Sequence, residues 1–221
     1  MDYANTIFSP WLSWIINAVA LLLFLAVLRH CEWRRMLARP TFGNWTLTMG
    51  FIFTIWMLRA EVPGGLTLHL SLAPLFALLA GWRAAMVGLG VVCIAAVIAG
   101  RVLPLNLGLQ YLLHAALPVS LAFGLFLASE AYLKRNFFVY IFLPGFFGAW
   151  LCNAALAHAH GLVLTLSGTQ DWSGLYTLFI PYHLILGFSE AFLTGAVLTL
   201  FAVYYPHLVY TFRDERYIIG K

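Results

Sequence analysis

The chain has 221 residues, of which 63% are apolar and only 9% are charged, and its formal net charge is +4. A soluble domain of this length carries about a quarter charged residues, so this chain has too few polar side chains to cover a globular surface. The composition excludes a water-soluble globular protein. It predicts an all-α integral membrane protein, with residues 1–221 forming a single polytopic membrane domain.

Seven apolar segments approach the length of about 20 residues that crosses the hydrocarbon core of a bilayer. We predict transmembrane helices at 11–28, 44–58, 68–82, 84–100, 109–129, 137–159 and 179–204. The second, third and fourth of these are short, and the alternative for them is a segment that tilts little or is partly re-entrant. The first segment lacks a basic region before it and a small-residue cleavage site after it. It is therefore predicted to be a retained helix and not a signal peptide.

The basic residues predict how these helices are oriented. Lys and Arg concentrate at 30–39, 134–135 and 213–221, and seven alternating spans place all three segments on one side. The loop 160–178, on the other side, contains no Lys or Arg. By the positive-inside rule the basic side is cytoplasmic, with the N-terminus outside and the C-terminus inside. We expect a multi-pass protein surrounded by the lipid of the bacterial cytoplasmic (inner) membrane.

Five histidines fall near the outer ends of the predicted helices: His69, His114, His158, His160 and His183. Neutral imidazole is the commonest side-chain ligand for metals such as zinc, nickel and cobalt. Rings that converge at one depth would form a site for an external divalent cation. Because His158 and His160 are two residues apart on a helix, at most one of them should face the interior. For each histidine alone, an interfacial hydrogen-bonding role is the alternative.

Four other polar residues are predicted to face the interior of the bundle. Glu190 is the only carboxylate well inside a predicted span, and a charge facing lipid costs about 3 kcal/mol. It is either a proton-linked partner of a metal ligand or a structural hydrogen bond between helices. The others share helix faces with histidines or precede the fifth span: Asn106, Gln110 and Asn153.

Small residues recur at every fourth position in two predicted spans. They are Ala116, Ser120, Gly124 and Ala128 in the fifth span and Gly187, Ala191, Gly195 and Thr199 in the seventh. Such ladders let helix backbones approach closely in a membrane. They serve either packing within the monomer or docking of another membrane subunit.

Other motifs give no reason to predict an enzyme. The sequence has no Gly-rich phosphate loop with Lys, no G-x-S-x-G, no H-E-x-x-H and no paired-cysteine motif. Any ATP hydrolysis would therefore come from other chains, and no covalent cofactor is expected. The tryptophans and tyrosines near the span ends, Trp56 among them, are interpreted mostly as an interfacial aromatic belt.

Three segments carry a family resemblance. The segment 53–75, with its core at 62–69 (VPGGLTLH), is similar to a P-x-G-[GS]-x-x-x-H loop. The segment 104–108 (PLNLG) is similar to a G-A-N segment and matches it only at Asn106. The segment 182–194 (YHLILGFSEAFLT) is similar to an H-L-x-I-G-x-x-E-[GA]-x-[IL]-T helix. Together they resemble the CbiM/NikM-type substrate-binding (S) components of energy-coupling-factor (ECF) transporters. The resemblance implies a seven-helix membrane fold, with His69 as a cobalt or nickel ligand. It also implies a transmembrane coupling subunit and ATPase subunits in other chains, and no nucleic acid partner.

The N-terminus departs from this family. Members that carry cobalt or nickel begin Met-His and use the terminal amine and that histidine as ligands, whereas this chain has Asp2 at the second position. A carboxylate is a harder ligand than imidazole and shifts preference away from square-planar nickel. The leading hypothesis is a substrate-capture component that binds a cobalt- or nickel-like ion, or zinc, through His69, Asp2, His114, His183 and His160. The alternatives are an S-component-like binder of a small organic micronutrient and an accessory or assembly subunit of a larger membrane complex.

Overall fold

The computed structural model describes residues 7–58, 60–62, 66–169 and 171–217. Its helices are α1 Pro10–Arg29, α2 Trp33–Met36, α3 Arg39–Met57, α4 Ala73–Ala80, α5 Trp82–Ile98, α6 Pro104–Tyr132, α7 Phe137–Leu166, α8 Ile180–Tyr204 and α9 Asp214–Tyr217. Short helical turns at Trp172–Gly174, Leu175–Phe179 and Pro206–Leu208 flank α8. Strands β1 Ala60–Val62 and β2 Leu66–Leu68 form an antiparallel pair in which Ala60 lies opposite Leu68.

Four helices of the described chain, α1, α6, α7 and α8, are long and apolar enough to cross a membrane. They correspond to the first, fifth, sixth and seventh predicted spans. In the third predicted span, 68–82, only the eight residues Ala73–Ala80 form a helix, which is too short to cross a membrane alone. Eight residues extend about 12 Å, less than half of a hydrocarbon core of about 30 Å. The helix of the sixth predicted span ends at Leu166 and not at 159. His158 and His160 therefore lie inside this helix, about two turns before its end.

The short helix α4 lies in the centre of the bundle. It follows Leu72, whose φ is 53°, and it ends at Gly81, whose φ is 83°. A leucine in the left-handed region is uncommon and needs support from its surroundings. All residues from Ala73 to Leu79 are buried, so the irregular backbone at both ends of α4 must find hydrogen bonds within the protein.

Side chains and backbone from distant parts of the chain provide these hydrogen bonds at the C-terminal end of α4. The N–H of Tyr210 donates to the carbonyl of Leu79 at 2.8 Å, and the hydroxyl of Thr211 donates to the carbonyl of Leu78 at 2.8 Å. The segment that follows α8 therefore covers the end of α4. Glu130 in α6 accepts a hydrogen bond from Tyr217 and holds α9 against the bundle.

Three long helical segments widen into a π-helical turn, and each turn lies beside or contains a proline. The turns are Leu112–Ala116, Ile141–Phe147 and Leu175–Phe179, with Pro118, Pro144 and Pro181 respectively. Proline has no N–H to donate and its ring clashes with the carbonyl four residues earlier, and a wider turn accommodates both defects. Such turns are frequent at functional sites. The first of them contains His114.

Asn17 joins α1 to the beginning of α6. Its Nδ2 donates to the carbonyl of Leu105 at 3.0 Å, and its Oδ1 accepts from the N–H of Gly108. A Cβ at Gly108 would lie 2.6 Å from the Cα of Asn17, so the two helices can approach this closely only with glycine at that position.

Gly108→Ala is expected to destabilise the protein by about 1–3 kcal/mol, because α1 and α6 must separate to admit the methyl group. Thermal unfolding in detergent measures the loss. Gly124→Ala is the matched control, since nothing lies within 4 Å of a Cβ built at Gly124. An equal loss in both variants would contradict the role of this contact.

Candidate metal centre

Four histidine rings form a continuous row inside the bundle: His69, His114, His160 and His183. Neighbouring ring centroids are 5.0, 4.8 and 5.9 Å apart in that order. His69 is half-buried and the other three are buried. The rings come from the segment after β2 and from α6, α7 and α8, so the row exists only in the folded bundle.

Two aromatic side chains cover the ends of this row. The Trp56 ring lies 5.4 Å from both His69 and His114, and the Phe179 ring lies 4.5 Å from His183. Trp56 is 2% exposed, and its indole N–H donates to the carbonyl of Ser71 at 3.0 Å. The interpretation of Trp56 as part of an interfacial belt is therefore wrong. The segment that follows β2 covers it, and that long-range contact has no sequence signature.

His158 does not join the row. It is exposed, its Nδ1 lies 2.7 Å from the carbonyl of Ala154, and its ring lies near Tyr176. Residues two apart on a helix point to different sides, so His160 faces inward where His158 faces outward. The contact between Phe179 and His183 could have been predicted from helical spacing, because residues four positions apart lie on the same face of a helix.

Glu190 fixes the backbone that carries His69. Its side chain is completely buried, and its two oxygens accept hydrogen bonds from the N–H groups of Ser71 at 3.0 Å and Leu72 at 2.9 Å. The Nδ2 of Asn153 donates to the same carboxylate at 2.8 Å. The carboxylate thus joins α8 to α7 and to the N-terminal end of α4. It also supports the left-handed backbone of Leu72, three residues after His69.

Asn106 and Gln110 are buried in the first turns of α6, and Gln110 lies one turn before His114. Among the described residues, the Oε1 of Gln110, the Oδ1 of Asn153 and the Nδ1 of His183 have no hydrogen-bond partner. These atoms keep capacity for a ligand. Asp2 and residues 63–65 lie outside the described residues.

The two small-residue ladders have different surroundings. Gly187 and Gly195 are buried, and Cβ atoms built on them would lie 3.2 Å from Asn153 and 3.6 Å from Phe146. The ladder on α8 therefore packs against α7 within the chain. In the ladder on α6, Ala116 is half-buried, whereas Ser120, Gly124 and Ala128 are exposed.

The histidines form a row and not a closed cage. Within the described ranges, no three His, Cys, Asp or Glu side chains are arranged to hold one metal ion together. Neighbouring ring centroids are 4.8–5.9 Å apart, whereas two nitrogens that bind one ion at about 2.1 Å lie at most about 4.2 Å from each other. Two neighbouring rings would therefore share a cation only with their nitrogens turned towards each other and with further ligands to complete the coordination.

The chain matches the model of the family described as CbiM, the cobalt uptake substrate-specific transmembrane region, over residues 4–208. The chain belongs to the CbiM family. The resemblance inferred from the sequence is confirmed by this match. No curated protein matches this CbiM-family chain.

Two solved structures share the fold of this CbiM-family protein. One is described as a truncated transition metal transporter, with 22% identity, a TM-score of 0.76, and coverage of 92% of this chain and 98% of that one. The other is described as a transition metal transporter, with 20% identity, a TM-score of 0.78, and coverage of 92% and 93%. Membership of the CbiM family makes this protein a multi-pass membrane component of metal uptake, and components of this family work within membrane transporter complexes.

Proposed function

We propose that the histidine row captures a divalent transition metal ion at the outer side of a bacterial cytoplasmic membrane. The observation that carries this proposal is the succession of four imidazole rings at centroid distances of 4.8–5.9 Å. Imidazole nitrogens suit nickel, cobalt and zinc, and neutral imidazole is the form that binds these metals. Transport would need a transmembrane coupling subunit and ATPase subunits of an ECF-type importer, supplied by other chains.

The cation is proposed to bind between neighbouring rings of the row, with Asp2 supplying a carboxylate ligand. A carboxylate is a harder ligand than the imidazole that it would replace, so it would shift the preference of the site away from square-planar nickel. Glu190 would act by holding the segment that carries His69, so it positions a ligand and does not bind the metal. This division of roles follows from its three hydrogen bonds to Ser71, Leu72 and Asn153.

His69→Ala is expected to abolish binding of Co²⁺ in calorimetric titrations of the detergent-purified protein. His69 is the half-buried end of the row and lies on the irregular segment held by Glu190, so its ring is the one most able to turn towards a cation. His158→Ala, which removes an exposed imidazole from the same end of the bundle, is the matched control. Unchanged Co²⁺ binding in His69→Ala would remove the proposed site.

A small organic micronutrient is the second candidate ligand. The unpartnered amide oxygens of Gln110 and Asn153 favour it, since buried acceptors close to the row could bind donors of an organic molecule. Elemental analysis of the protein purified from its native membrane separates the two ligands. A stoichiometric transition metal supports the first candidate, and a metal-free protein that carries a small organic molecule supports the second.

A further inference from the structure

A large cavity lies at the opposite end of α4 from the histidine row. It has a volume of about 630 Å³ and is bounded by α2, α3, the beginning of α5, α6 and the segment after α8. Apolar side chains form much of its wall, among them Phe76, Leu79, Phe123 and Leu127. Leu127 is 53% exposed, so the apolar wall continues onto the outer surface of α6.

The charged groups of this cavity leave one positive charge uncompensated. Arg83 pairs with Glu32, with 3.6 Å between Nη1 and Oε1. The guanidinium of Arg35 lies 4.3 Å from the centre of the Tyr210 ring. Across the part of the chain that the structure describes, no carboxylate pairs with Arg35. The cation–π contact holds this charge at the cavity, where it repels a cationic cargo and attracts an anion.

Hydrogen-bond donors accompany this charge. The indole N–H of Trp82 donates to the Oγ of Ser120 at 3.1 Å, which leaves the hydroxyl hydrogen of Ser120 able to donate. Asn44 also lines the cavity and has an amide group that can donate. Gly124 lies one turn after Ser120 on the same wall, and a Cβ there would meet nothing within 4 Å. The cavity thus combines a cationic, hydrogen-bonding side with an apolar side that has free space.

We propose that this cavity binds the phosphate of an anionic phospholipid through Arg35, with an acyl chain along the apolar wall of α6. The planar guanidinium matches the phosphate oxygens in charge and geometry. The apolar wall and the exposed Leu127 favour an amphiphile over a free phosphate ion. Such a lipid would bridge α2, α6 and the segment 205–210. It would lie in the cytoplasmic leaflet, where anionic lipids attract basic segments. This inference does not depend on the metal site.

Native mass spectrometry of the full chain in detergent tests the proposal with phosphatidylglycerol, phosphatidylcholine and inorganic phosphate as probes. One phosphatidylglycerol is expected to bind more tightly than phosphatidylcholine. Arg35→Gln is expected to weaken the first phosphatidylglycerol site about tenfold, and Arg34→Gln to leave it unchanged. Arg34 is the matched control because it is the neighbouring arginine of α2, is exposed, and does not line the cavity. Gly124→Leu places a larger side chain at the apolar wall, where an added Cβ has nothing within 4 Å, and should also weaken this site.

Three results would overturn the proposal. Equal weakening by Arg34→Gln and Arg35→Gln would show that the attraction is diffuse and not local to the cavity. Equal binding of the two lipids would show that the charge of the head group is not recognised. Displacement of phosphatidylglycerol by an equal concentration of inorganic phosphate would make the ligand a soluble phosphate and not a lipid.

Discussion

Glu190→Ala is expected to destabilise the protein by about 3 kcal/mol or more. The substitution removes the acceptor of three buried donors, namely the N–H groups of Ser71 and Leu72 and the side-chain amide of Asn153. Each buried donor that is left without a partner costs about 1–3 kcal/mol. The same change releases the backbone that carries His69, so Co²⁺ affinity should fall as well. Thermal unfolding in detergent, with and without Co²⁺, measures both effects.

Glu215→Ala is the control for this prediction, because Glu215 is an exposed carboxylate on α9. Surface substitutions of this kind change stability by about 0.5 kcal/mol or less. Glu190→Gln keeps one acceptor oxygen but points an amide N–H₂ at other donors, so it should fall between the wild type and Glu190→Ala. A Glu190→Ala variant as stable as Glu215→Ala would contradict the positioning role of the carboxylate.

His114→Leu is expected to lower Co²⁺ affinity by at least about 100-fold. His114 is the ring that contacts His69, His160 and Trp56, so its loss breaks the row in the middle. Removing even a group that only orients a metal ligand typically costs 10- to 100-fold in affinity. Leucine has a similar volume and suits a buried position, so the fold should be retained. Calorimetric titration gives the affinity, and thermal unfolding confirms folding.

His158→Leu supplies the comparison for this second experiment. The two variants remove the same chemical group, but His158 is exposed and lies outside the row. Its Co²⁺ affinity should equal that of the wild type. A His114→Leu variant that keeps wild-type affinity, or a His158→Leu variant that loses it, would contradict the assignment of the row as the binding site.

The long helices could be predicted because continuous apolar runs set their length. The short helix α4 could not, because its limits depend on the left-handed backbone at Leu72 and the turn at Gly81. Both are stabilised by residues more than 100 positions away, Glu190 at one end and Thr211 at the other. Apolar composition alone therefore predicts a full span where the fold has a half-length buried helix.

Some features of the histidine row could likewise be predicted from the sequence, and others could not. Depth from the predicted membrane surface selected five histidines, of which four lie together in the row, and helical spacing indicated that His158 and His160 could not both face inward. The order of the rings and the burial of Trp56 depend on contacts between different helices. Glu190 was predicted to face inward from the cost of burying a charge in lipid, but its backbone partners at Ser71 and Leu72 are non-local.

The small-residue ladders show the same limit. Both repeat every fourth residue, yet Gly187 packs against Asn153 while Gly124 faces open space. Spacing indicates that a close approach is possible, and the surrounding helices decide whether it occurs. Whether another subunit docks on the open ladder of α6 stays a prediction.

Anomalous X-ray scattering from crystals grown with Co²⁺ tests most directly whether the histidine row binds the transported metal. A cobalt peak about 2.1 Å from nitrogens of at least two of His69, His114, His160 and His183 is the predicted result. A stoichiometric cobalt peak elsewhere, with these four rings unliganded, would contradict the account.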